Sequence, residues 1–261
     1  MDKLPAIAGW NWVKEGFALF RKQPAEISTL FLAYMFLMMA VGFLPFLGQV
    51  LPLVLVPVFS MAFMQACLQI EQGKKVYPNL LLTGFRKPAF KELVKLGILY
   101  LVAAVIAVAA SAVVDGGVFW EIMSGQKNLD ADTIRGSNLS LAMMFSAAVY
   151  TPAAMAFWHA APLIAWQNMG LGKAIFYSFF AVKRSGMAFL VYGLSWVLIG
   201  VILPAVLSSL VALIVGKAFA VMVVLLTVSL VLTVVMYCSF YPTYTHIFGR
   251  PESRAVPSLP Q

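Results

Sequence analysis

Apolar residues in this chain gather into six long runs, 27–44, 50–70, 93–114, 139–167, 187–214 and 218–245, divided by shorter polar stretches. About 20 helical residues cross about 30 Å of hydrocarbon, and several of these runs reach that length. The pattern predicts an all-α, polytopic transmembrane helical bundle with six spans. Pro45 and Gly48 part the first run from the second, and the charged stretch 71–92 parts the second from the third. The fourth and fifth runs exceed a perpendicular crossing, so they are expected to tilt or kink. Pro152 and Pro162 supply kink sites in the fourth and Pro204 in the fifth, because proline removes a backbone donor and crowds the preceding turn.

The polar stretches repeat a theme. "GFALFRKQPAEISTLF" at 16–31, "GFRKPAFKELVKLGIL" at 84–99 and, more loosely, "FFAVKRSGMAFLVYGL" at 179–194 each place aromatic and basic residues before an odd-numbered run. In the first copy Trp10, Val13, Phe17 and Phe20 recur at helical spacing, with Lys14, Glu15 and Lys22 on the polar side. That pattern suits a short helix lying in the interface, rings at headgroup depth and basic side chains reaching the phosphates. The candidates for lipid contact are Trp10, Trp12, Lys14, Arg21, Lys22, Arg86, Lys87, Lys183 and Arg184, with Pro24, Pro88 and Gly186 marking the bend into the span. The chain thus reads as three elbow-plus-hairpin units. Residues 1–26 form an amphipathic segment and 27–70 the first hairpin; 71–167 and 168–247 each hold an elbow and a hairpin, and 248–261 is a tail.

Composition agrees. Of 261 residues, 62% are hydrophobic and 11% charged, where a soluble domain carries about 25% charged residues. Too few charges remain to solvate a globule, so the natural solvent is lipid. Fifteen of the 18 lysines and arginines fall in the N-terminal segment, the 2–3 and 4–5 connections and the tail; Lys127, Arg135 and Lys217 fall on the other side. Cytoplasmic loops carry the excess of basic residues, so both termini are expected in the cytoplasm. Residues 1–26 do not read as a cleavable leader. Cys67 and Cys238 sit within apolar runs and read as buried thiols.

Chemistry is sparse. No Asp, Glu, Lys or Arg lies well inside any run, which argues against a conventional proton- or ion-coupled transporter. Phosphate-cradling glycine loops, paired metal-binding histidines and a nucleophile elbow are missing from the sequence, so neither an enzyme nor a cofactor is expected. The intramembrane polar candidates are His159, Gln65, Gln69 and Tyr241. His159 reads either as a contact or proton carrier in a cavity widened by Pro162, or as a neutral ring bonded to a freed carbonyl or a hydroxyl. Gln65 and Gln69 share a helix face suited to interhelical hydrogen bonds, and Ala103, Ala107 and Ser111 form a small-residue packing stripe. The outer loop, about 115–138, has a net charge of −2 and reads as solvated, with Phe119 and Trp120 returning to the interface.

"GWNWVKEGFALFRKQP" near the start and "AFWHAAPLIAWQNMGLGKAIFYSFFAVKRSGMAFLVYGL" at 156–194 resemble a family of uncharacterised proteobacterial multi-pass inner-membrane proteins. The resemblance covers most of the chain. It implies the cytoplasmic membrane of a Gram-negative bacterium and brings no activity with it. In that family the place of His159 is more often apolar or aromatic, which points away from an essential role. The expected function is non-enzymatic: a membrane accessory, a scaffold or a lipid-organising protein. The alternative is a carrier for a lipid or other amphipathic small molecule. Expected partners are membrane lipids with anionic headgroups, and a second copy or a membrane complex, but no nucleic acid.

Overall fold

The computed structural model describes residues 3–45, 48, 50–86, 88–130, 137–216 and 218–251, and no strand occurs among them. The elements are α1 (Ile7–Lys22), α2 (Pro24–Gly42), α3 (Leu51–Glu71), a 3₁₀ segment (Pro78–Phe85), α4 (Ala89–Ala110), the short α5 (Ala112–Asp115) and α6 (Val118–Met123), α7 (Leu139–Phe157), α8 (Ala160–Gln167), α9 (Leu171–Arg184), α10 (Gly186–Val197), a π-helical turn (Leu198–Ile202), α11 (Leu203–Val215) and α12 (Ala218–Phe248). They build six segments long and apolar enough to cross a membrane: Pro24–Gly42, Leu51–Glu71, Ala89–Asp115, Leu139–Gln167, Gly186–Val215 and Val221–Phe248. Every boundary falls within four residues of the apolar run that predicts it.

The elbows gather at one end of the bundle. Gln23 alone separates α1 from α2, and Ser185 alone separates α9 from α10. At Gln23 the side chain secures the turn: Nε2 donates to the Lys74 carbonyl at 2.7 Å, and Oε1 accepts the Val76 N–H at 3.0 Å. The first elbow is thereby clamped to the connection leading into the second. That second elbow differs from the other two, being a 3₁₀ segment rather than an α-helix. Pro78 opens it, and Gly84 lies against the Val58 carbonyl with no room for a Cβ.

Helix α3 is the centre, 61% of its apolar stretch buried, whereas only 6% of Gly186–Val215 is buried. Gly97 lets α4 settle on the Val54 carbonyl of α3. A second cluster joins Trp12 and Val13 of α1 to Ala188 and Tyr192 of α10. Gly9 and Gly16, seven residues apart and so on one face of α1, meet the backbone of α10 and of α12 respectively. Helix α1 is therefore sunk into the protein as well as lying along it.

Proline acts where expected at Pro204 in the fifth span and at Pro162 in the fourth, but not at Pro152. Helix α7 runs unbroken through Pro152, and the break comes at Trp158 and His159, just before Pro162. Pro162 has no N–H to give the Trp158 carbonyl four residues back. Pro204 lies in the first turn of α11, and the turn before it widens into π-helix. The first part of the outer loop, 115–123, is more ordered than a plain solvated loop. Gly116 and Gly117 take φ of +67° and +99°, and the Asp115 carboxylate accepts the N–H of Gly117 at 2.9 Å and of Phe119 at 2.7 Å, starting α6. Trp120 stays 40% exposed on it. Lys87, Asp132, Arg135, Lys217 and Arg254 lie outside the described residues.

Candidate functional site at the elbow end

The two α-helical elbows show matching outer faces. On α1 the outward positions are Trp10, Lys14, Phe17 and Arg21, with Lys14 and Arg21 exposed and Trp10 38% exposed. On α9 they are Lys173, Phe176, Tyr177, Phe180 and Arg184, the three rings exposed and the Lys173 ammonium 5.8 Å from the Tyr177 ring centre. The inner face of α9, Ala174, Ser178, Ala181 and Val182, is buried. Spacings of three and four put each set on one side of its helix. In the 3₁₀ elbow, Tyr77, Leu82 and Phe85 are exposed and Arg86 is half-buried beside them.

Trp12 is a correction to the lipid-contact set. Its ring is fully buried, 5.0 Å from Phe189 and 5.9 Å from Tyr192 between ring centres. Two tryptophans two residues apart face opposite sides of a helix, so only Trp10 can look outward.

Glu15, Glu71 and Glu92 at this end pair within the protein itself. Glu71 at the end of α3 accepts a 2.6 Å hydrogen bond from the Tyr241 hydroxyl and a 2.8 Å bond from Arg250. Glu92 pairs with Lys95 at 2.6 Å. Trp12 Nε1 donates to His246 Nδ1 at 3.1 Å, and His246 Nε2 lies 3.2 Å from the Glu15 carboxylate. Because indole can only donate, Nδ1 is the bare nitrogen, and the His246 proton sits on Nε2 facing Glu15. Glu15, Glu71, Tyr241, His246 and Arg250 line a cleft of about 390 Å³ between α1, α3 and α12. They act as a latch: Trp12 and Glu15 tie α1 to the end of α12, and Glu71 ties the end of α3 to it. Lys14, Lys22, Arg86, Lys183 and Arg184 have no carboxylate partner among the described residues.

Deeper in, the break in the fourth span is repaired by hydroxyls. His159, 1% exposed, gives its backbone N–H to Ser178 Oγ at 2.9 Å, while Ser178 donates to the Met155 carbonyl at 3.0 Å. The His159 Nε2 lies 3.2 Å from Thr243 Oγ1, which also receives Trp158 Nε1 at 3.4 Å. The Thr243 proton already goes to the Phe240 carbonyl at 2.7 Å. Thr243 can therefore only accept from the ring, His159 carries its proton on Nε2, and Nδ1 is buried without a partner among the described residues. Phe189, Tyr244 and Phe248 surround the imidazole with ring centres 5.4–6.2 Å away. Gln65 is buried and accepts from Trp166 Nε1 at 3.4 Å; Gln69, one turn on, is half-buried. The four intramembrane candidates do not converge on one point: His159 meets Thr243, Gln65 meets Trp166, and Tyr241 turns to Glu71.

Phe176, Tyr177 and Phe180 were legible as an amphipathic face, since they repeat at helical spacing between Lys173 and Arg184. Ser178 and Thr243 carried no such signal, because a hydroxyl in an apolar run reads as filler until a broken backbone faces it.

No protein-family profile and no solved structure matches this chain. A probable inner membrane protein of Burkholderia thailandensis is 38% identical over 263 residues, covering 99% of this chain and 97% of that protein. With six apolar helices of spanning length and this identity along nearly the whole of both chains, the protein is a multi-pass inner membrane protein and belongs to the family of that Burkholderia protein.

Proposed function

We propose that the protein is a non-enzymatic, lipid-organising component of the inner membrane, with its elbow end and both termini in the cytoplasm. One observation carries the reading: the elbows expose rings and basic side chains together, while Glu15, Glu71 and Glu92 nearby are engaged with other partners. Rings at the hydrocarbon boundary leave Lys14, Arg21, Lys183 and Arg184 within reach of lipid phosphates. Each basic residue near an anionic surface contributes about 1 kcal/mol. The acids, His246 and Tyr241 bind helix to helix, which supports a structural rather than a catalytic use of the polar groups.

The test replaces Lys14, Arg21, Lys183 and Arg184 together by Gln. Native mass spectrometry of protein released from mixed phosphatidylglycerol and phosphatidylethanolamine should show retained phosphatidylglycerol falling about tenfold or more at low salt. Retention unchanged in a variant of normal helix content would refute the proposal.

A further inference from the structure

A cavity of about 340 Å³ lies where α3, α4, α7, α8 and α12 meet. Its wall includes Ser60, Tyr100, Ala154, Phe157, Tyr237 and Phe240. Phe240 and Met236, which also lines it, precede the end of α12 at Phe248 by 8 and 12 residues. At 1.5 Å per residue that is a depth of about 12–18 Å, near the middle of a hydrocarbon layer about 30 Å thick.

We propose that this cavity seats part of one acyl chain of a membrane phospholipid. Val56, Phe63, Met64, Ala154, Phe157 and Phe240 make most of the wall apolar, and its open polar points are few, the Tyr150 hydroxyl and His159 Nδ1. Ser60 donates to the Pro57 carbonyl at 2.8 Å, Tyr100 to the Phe157 carbonyl at 3.2 Å and Trp158 to Thr243 at 3.4 Å. What the rest of the wall offers is ring faces and methyl groups. Val56, Ser60, Tyr150, Ala154 and Met236 are only partly buried, so the cavity communicates with the outside of the bundle, and at this depth the outside is lipid tails. The volume is at the small end of the range for ligand pockets, about 300–1,000 Å³. It suits a length of one chain and not a whole two-chain lipid.

The proposal deepens the lipid-organising reading and rests on it for the class of ligand, yet the two fail separately. Full-length protein is placed in phosphatidylethanolamine vesicles containing phosphatidylethanolamine with a photoreactive diazirine midway along one acyl chain. Illumination should label Tyr100, Phe157 or Tyr237 in the wild type. Ala154→Phe, which fills the cavity, should abolish that label and leave label on the outer residues Leu190 and Leu225 intact. Ser60→Leu is the second filling variant, and thermal melting in detergent checks the fold of both. Wild-type label confined to outer faces overturns the proposal whether or not the variants fold. Label on the cavity wall that survives in a folded filling variant overturns it too. The probe headgroup is zwitterionic, so a cavity result stands even if the basic elbows show no preference for anionic lipid.

Discussion

Gly16 of α1 and Ser239 of α12 touch backbone to backbone: a methyl group at Gly16 would fall 2.6 Å from Ser239 Cβ and 2.9 Å from its Cα. Neither atom is the free end of a flexible side chain, so one helix would have to move. Gly16→Leu should lift α1 from its seat and cost about 1–3 kcal/mol, as overpacking does. Gly172 has nothing within 4 Å of the same position, and Gly172→Ala should leave the melting temperature in detergent nearly unchanged. Equal losses in the two variants would show that α1 is not held by this contact.

Orientation is checked by reporter fusions. Fusions after Gln126 and Gly216 should report the periplasm, and fusions after Lys75, Gly172 and Gln261 the cytoplasm, following the basic excess on the elbow side. A cytoplasmic signal at Gln126 would overturn the arrangement.

The two readings of His159 predict opposite orders of damage. The hydroxyl that receives its Nε2 is also reached by Trp158, and its Nδ1 is unpartnered. His159→Phe keeps the ring among Phe189, Tyr244 and Phe248 and should change stability by less than about 1 kcal/mol. His159→Asn loses that packing and should cost about 1–3 kcal/mol. Thermal melting sets the order. A stable His159→Phe protein that fails to complement a deletion strain would move His159 into the mechanism.

Tyr241 and Glu71 should be coupled. Tyr241→Phe removes the 2.6 Å bond to a carboxylate and should cost about 1–2 kcal/mol. Joined with Glu71→Gln in a double-mutant cycle, the pair should show an interaction of at least about 0.5 kcal/mol. Strict additivity would mean that the bond contributes nothing to the latch.

The spans were legible because lipid imposes one rule on every residue of a crossing helix, and 18 or more apolar residues in a row obey nothing else. The elbows were legible as positions but less so as conformations. Nothing in "PNLLLTGF" distinguishes a 3₁₀ segment from an α-turn until Gly84 must fit over the Val58 carbonyl. Trp10 and Trp12 are alike in composition, and only the seating of α1 by Gly9 and Gly16 decides which of them faces outward. Pro162 foretells the break one turn before it, at Trp158 and His159, but not that Ser178, on another helix, takes up the backbone there. Long-range partners of that kind leave no trace in the local pattern.

The third hairpin is fastened at one end only. Near the elbows α10 and the last turns of α12 are wedged against α1, whereas α11 packs chiefly on the first half of α12, and Leu203, Leu210, Leu213, Phe219 and Leu226 face outward. A bilayer thinner or thicker than these 30 residues prefer has to be met by bending or tilting, at a modest cost per ångström. In this protein the bending can be done by an arm whose far end grips little else, pivoting about the π-turn at Leu198–Ile202. A hairpin fastened in this way would yield to a change in membrane thickness before the packing around α3 does.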